Sequence, residues 1–88
     1  MEIEFDPDKN SENTRKHGTP LSEASNFEWD TAVVWSDHRF DYDENRMRAI
    51  GYIGMTLYSL AFVERGEKDR IISLRRATKT EREIYARA

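Results

Sequence analysis

The stretch "RMRAIGYIGMTLYSLAFVERGEKDRIISLRRA", residues 46–77, decides how this chain folds. It is rich in β-branched and aromatic residues and breaks into three strands, about 46–53, 56–65 and 70–77. One break holds Gly54 and the other is "GEKD", both too short for a crossover connection, so these strands are antiparallel neighbours. Alternation along the last strand puts Ile71, Ser73, Arg75 and Ala77 on one face and Arg70, Ile72, Leu74 and Arg76 on the other. With apolar residues on both faces, the strand is covered on both sides for part of its length. Arg75 and Arg76 then point to opposite faces unless a bulge or the strand's end re-aims one of them. An arginine on such a strand is costly without a negative partner. The partner is either a carboxylate such as Glu81 or Glu83, or a phosphate, whose oxygens match the guanidinium fork.

Working outward, "MEIEF" alternates as a short strand with Ile3 and Phe5 on one face. Asp6 caps a first helix, Pro7 suits its first position, and Gly18 lies just past its end, so the helix covers about 7–17. Lys16 and His17 complement the helix dipole in its last turn. The helix is unusually polar and must be held by its ends and by whatever docks on its side. "TPLSEASNFEW" repeats the start signal with Thr19 and Pro20, and Leu21, Ala24 and Phe27 make the apolar stripe of a short second helix. "TAVVW" is a strand at about 31–35, followed by the polar loop "SDHRFDYDEN". Thr78 and Glu81 are spaced as the capping box of a last helix that carries Ile84 and Tyr85. The expected fold is α+β in the order β-α-α-β-β-β-β-α, a small mostly antiparallel sheet with two N-terminal helices and a C-terminal one, forming one domain over 1–88.

The 88 residues contain no cysteine, which excludes disulfides, thiolate chemistry and Cys-type zinc sites. The N-terminus has neither the basic nor the apolar region of a signal peptide, and no apolar run approaches membrane-spanning length. A soluble cytoplasmic protein with no membrane association is expected. The net charge of -3 hides an asymmetry: residues 1–44 carry -8 and residues 45–88 carry +5. The total argues against nucleic acid as a partner, while the distribution allows it, because a ligand feels the local field.

Histidine occurs only at His17 and His38, and neither lies in a ligand-spaced motif. His38 reads as a surface residue, and the acidic loop residues Asp41, Asp43 and Glu44 read as solvated rather than metal-binding. Lys9 and Lys16 are seven residues apart and share a helix face with Asn13. Trp29 and Trp35 suit a core or a protein interface.

The pieces "FDPDKNSENTRKHG", "LSEASNFE", "ENRMRAIG", "ERGEKDRIISLRRA" and "TEREIY", in this order, resemble the BrnT-type toxins of bacterial type II toxin–antitoxin systems over nearly the whole chain. The resemblance implies a RelE-like fold and metal-independent endonucleolytic cleavage of RNA that arrests translation. It also implies a cognate BrnA-like antitoxin as partner, with DNA reached only through that antitoxin, and no cofactor. RNA supplies its own nucleophile, the 2′-hydroxyl, so the protein must move protons and stabilise the phosphorane. The candidates are Arg75 and Arg76 as phosphate binders, His17 as proton carrier, Lys9 on the helix face, Arg46 and Arg65 at strand ends, and Tyr85 to stack on a base or donate a hydrogen bond. Arg75 and Arg76 are expected to meet Lys9 and His17 in one cationic pocket where the terminal hairpin reaches the first helix.

Overall fold

The computed structural model describes residues 2–39 and 44–88. Strand β1, Glu2–Glu4, leads into helix α1, Pro7–His17, whose bounds are those expected. The Asp6 carboxylate accepts from the Asp8 N–H at 2.8 Å, and Pro7 opens the helix. Gly18 closes it at φ 72°, a left-handed conformation that other residues adopt only with strain, and donates its N–H to the Thr14 carbonyl at 2.8 Å.

The second expected α-helix is corrected to two 3-10 segments, Leu21–Asn26 and Trp29–Thr31. Leu21, Ala24 and Phe27 recur every third residue, which is the repeat of a 3-10 helix, and at three residues per turn all of them line up on the core. No side chain caps this segment at Pro20, so nothing favours propagation into a longer α-helix.

The remaining elements are β2 (Val33–Ser36), β3 (Arg46–Ile53), β4 (Thr56–Arg65), β5 (Lys68–Arg76) and helix α2 (Lys79–Arg87). The five strands form one sheet in the order β1-β5-β4-β3-β2. The α+β class holds, but the sheet is mixed rather than mostly antiparallel: β1 runs parallel to β5, with Glu2–Glu4 opposite Lys68–Arg70. Tight turns force β3, β4 and β5 to alternate in direction, whereas β1 is separated from its neighbour by most of the chain and no turn sets its direction. β5 begins at Lys68 and not at Arg70 because the turn is only Gly66–Glu67, which brings Arg65 opposite Lys68.

The main hydrophobic cluster lies on one face of the sheet, while Ile50 and Val63 are buried on the other. Leu21, Ala24 and Phe27 pack on Ala49, Leu60, Phe62, Ile71 and Leu74, with Trp29 edge-on to both Phe27 and Phe62 at centroid distances of 4.9 and 5.1 Å. Gly51 is what lets Phe27 settle on β3, since a Cβ there would stand 2.7 Å from the Phe27 ring. Ile71 and Leu74 share the core although simple alternation puts them on opposite faces. A bulge opposite Ala61 and Phe62 supplies the missing half-period.

Helix α1 is joined to this core by a polar residue. Asn13, 6% exposed, donates from Nδ2 to the carbonyls of Thr19 and Leu74, each at 2.7 Å, and accepts from the Leu74 N–H at 3.3 Å. Its amide therefore occupies the edge of β5 beyond the end of β1 and satisfies backbone groups that would otherwise be buried unpaired. Replacing Asn13 by alanine strips three hydrogen bonds at once and is expected to lower stability by about 3 kcal/mol, read as a shift in the urea midpoint. Asn13→Asp should cost at least as much at neutral pH, because a carboxylate cannot donate to either carbonyl.

Candidate active site

Strand β5 separates two polar surfaces. Leu74 faces the core, so its neighbour Arg75 emerges on the opposite face of the sheet, beneath α2. The register places Arg75 beside Ser59 of β4, which in turn lies beside Ile50 of β3, two residues from Arg48 on the same face. Above them α2 starts with a complete capping box: Thr78 Oγ1 accepts from the Glu81 N–H at 3.2 Å, and Glu81 Oε1 accepts from the Thr78 N–H at 2.8 Å. The box fixes Glu81 over the sheet. Arg75 meets it fork on fork, Nη1 to Oε1 at 2.7 Å and Nη2 to Oε2 at 3.0 Å. Ser59 donates to Oε2 at 3.0 Å, and Arg48 Nη2 lies 2.7 Å from Ser59 Oγ and 3.4 Å from Oε2.

Side-chain exposures of 14% for Glu81, 15% for Arg48 and 32% for Arg75 make this a half-buried cluster of two cations and one anion. Burial pushes the Glu81 carboxyl up, but the hydrogen bonds from Arg75, the Thr78 N–H and Ser59 outweigh it and hold the group at about 2. Burial also lowers the Arg48 guanidinium, opposed by the Glu81 charge. Tyr52 of β3 lies on this face too, and Tyr85 of α2 packs edge-on against it at 5.5 Å. A face of this kind can hold a phosphate and steady growing negative charge.

The expected residues do not form one pocket. Lys9, Lys16 and His17 do converge, with Glu12, Asn13, Ile72 and Ser73, on a groove of about 220 Å³ between α1 and β5. Lys16 is paired there with Glu12 at 2.9 Å. Arg75 is on the other side of the sheet, neutralised by Glu81, and Arg76 ends β5 with an exposed side chain and does not line the groove. Arg46 starts β3 opposite Val63, and Arg65 ends β4 in a 3.0 Å ion pair with Glu44. Tyr85 belongs to the Arg75 face. The single cationic pocket is thus corrected to two surfaces on either side of β5. Asp41 and Asp43 lie outside the described residues; among those described, no group of side chains could hold a metal ion.

Arg48 and Ser59 escaped the sequence reading. The two-residue turn at Gly54–Met55 fixes Ile53 opposite Thr56, and counting back from it brings Ile50 to Ser59 and Arg48 to Ala61. That signal was present in the sequence. What was not present is the bulge that turns Arg75 toward them.

Fold and site together define a small α+β protein with two arginines and a glutamate clustered on one sheet face. The family model of the BrnT ribonuclease toxin of type II toxin–antitoxin systems matches residues 5–81, and the chain belongs to that family. No curated protein matches it. Membership makes the chain a type II toxin with ribonuclease activity and implies a protein antitoxin as partner. Among the described residues, no helix is long and apolar enough to cross a membrane.

The cluster has a pH signature. Glu81 falls from an ordinary value of 4.5 to about 2 on folding, so its ion pairs stabilise the fold fully above pH ~5 and are lost as the pH drops through 4.5 toward 2. Asp37, held at about 2 by hydrogen bonds from Arg39, adds to the same limb. Urea midpoints measured between pH 7 and pH 2.5 should show an acid-side loss of which Glu81 accounts for about 2 kcal/mol. In Glu81→Gln that portion should be absent.

Proposed function

We propose that this chain cleaves RNA internally and without a metal, by attack of the substrate's own 2′-hydroxyl on the adjacent phosphorus, and that the reacting phosphate docks on the α2 face at Arg48 and Arg75. The observation that carries the reading is the convergence of two guanidinium groups from non-adjacent strands on a single half-buried spot. The 2′-oxygen–phosphorus bond forms, the phosphorus–5′-oxygen bond breaks, and the product keeps a 2′,3′-cyclic phosphate. The proton of the 2′-hydroxyl leaves to solvent, and the departing 5′-oxygen takes one from the Tyr85 hydroxyl or from water. Arg48 and Arg75 carry the negative charge that grows on the phosphorane, where each fixed donor is worth about 10²–10³ in rate.

In this reading Arg76 and the groove residues Lys9, Lys16 and His17 contact flanking RNA backbone, a role suited to exposed cations. Arg46, two residues before Arg48 on the same sheet face, flanks the docked phosphate, while Arg65 is held by Glu44. Cleavage of cellular RNA arrests translation in the cytoplasm, and the partner is a BrnA-like antitoxin through which alone the complex reaches DNA. The mixed sheet with a helix over one face suits the RelE-like architecture expected of such toxins.

Purified protein mixed with RNA and EDTA should yield fragments ending in 2′,3′-cyclic phosphate. Arg75→Lys and Arg48→Lys, which keep the charge but lose the fork, should each slow cleavage about 100-fold while the protein stays folded. RNA binding without fragments would make the chain a non-catalytic binding module instead, and cleavage abolished by EDTA would contradict the metal-free mechanism.

A further inference from the structure

The assignment of Arg48 and Arg75 to the phosphate leaves Glu81 to be explained, because it places an anion beside the spot where another anion must bind. Both of its oxygens are fully engaged. Oε1 accepts from Arg75 Nη1 and the Thr78 N–H, and Oε2 accepts from Arg75 Nη2 and Ser59 Oγ with Arg48 Nη2 at 3.4 Å. A carboxylate so saturated is a poor proton acceptor and has no lone pair aimed outward. Nor can it swing aside freely, since the capping box ties it to the first turn of α2.

Without that carboxylate, two guanidinium groups this close repel, and each long side chain regains its rotamer freedom. With it, the cluster keeps one surplus positive charge in a fixed arrangement. Arg75 uses Nη1 for Glu81 and for the Arg76 carbonyl at 3.3 Å and Nη2 for Glu81, and Arg48 is engaged through Nη2 alone, so Nε–H and one Nη2 hydrogen of Arg75 and several N–H groups of Arg48 remain for another acceptor. Ser59 extends the same clamp, bridging Arg48 to Glu81 from β4.

Resting on the proposed reading, we infer that Glu81 is a positioning residue: its carboxylate, locked by the α2 capping box and seconded by Ser59, holds Arg48 and Arg75 in the spacing that a phosphorane requires, and exchanges no proton itself. Preorganised charge of this sort is worth most where water is partly excluded, as it is here.

The test is Glu81→Gln, which keeps the side chain's size and can still serve the capping box. Cleavage by the variant should lose about 10-fold or more in kcat. Binding of a 2′-O-methyl copy of the cleaved oligoribonucleotide, which cannot react, should tighten, because the patch gains a unit of positive charge. Glu81→Asp should recover part of kcat, and Ser59→Ala, which removes only the bridge to Arg48, should lose a smaller factor in the same direction. A Glu81→Gln variant as fast as or faster than the original overturns the positioning role, and so does one whose kcat and analogue binding fall together, which marks a merely structural residue. If the unmodified protein itself yields no cyclic-phosphate fragments, the reading beneath this inference fails with it.

Discussion

The side-chain amide of Asn13 is the junction on which the architecture depends. Helix α1 offers almost no apolar surface, and Asn13 is its buried residue. Through bonds to Thr19 and Leu74 this one amide fastens α1 both to the link that leads into the first 3-10 segment and to the open edge of β5. It does so by completing a strand edge that β1, only three residues long, leaves uncovered. A polar contact therefore does the work that a hydrophobic stripe does in most helices, and it fixes the distance at which Lys9, Lys16 and His17 stand from the sheet.

From the same strand the second surface follows. Leu74 is committed to the core and to Asn13, so Arg75 must leave on the far face, where α2 waits with its capping carboxylate. The link between the two sides of the sheet is mechanical, since a shift of β5 that loosened Leu74 would also move Arg75 relative to Arg48. Charge is handled economically on that face. Glu81 satisfies a helix terminus and neutralises one guanidinium, leaving the half-buried cluster with one surplus positive charge. The chain's overall acidity does not oppose this, because a substrate meets the local field of the face and not the sum of the molecule.

Much of this was legible in the residues. Asp6, Pro7 and Gly18 bound α1 by backbone chemistry that needs no tertiary information, and the same holds for Thr78 and Glu81 at α2. The short turns at Gly54 and Gly66 gave β3, β4 and β5. Three things were hidden. Every-third-residue spacing in Leu21, Ala24 and Phe27 fits a short α-helix and a 3-10 segment alike, and packing decided between them. The parallel β1–β5 pairing joins segments far apart in sequence, for which no local signal exists. The bulge beside Ala61 shifts the register of β5 by one residue. Without it Ser59 would face Leu74, and Arg75 would turn toward α1, as a pocket shared with Lys9 and His17 requires. A single extra residue in one strand thus separates the expected placement of Arg75 from the observed one.

The claim that the reacting phosphate sits between Arg48 and Arg75 is tested most directly by the guanidinium Nε–Hε signals of the two side chains in an NMR titration with an unreactive 2′-O-methyl oligoribonucleotide. The account predicts saturable shifts at both arginines, with smaller, strongly salt-dependent changes along α1. Shifts confined to Lys9, Lys16 and His17, with both guanidinium signals unmoved at saturation, would contradict it.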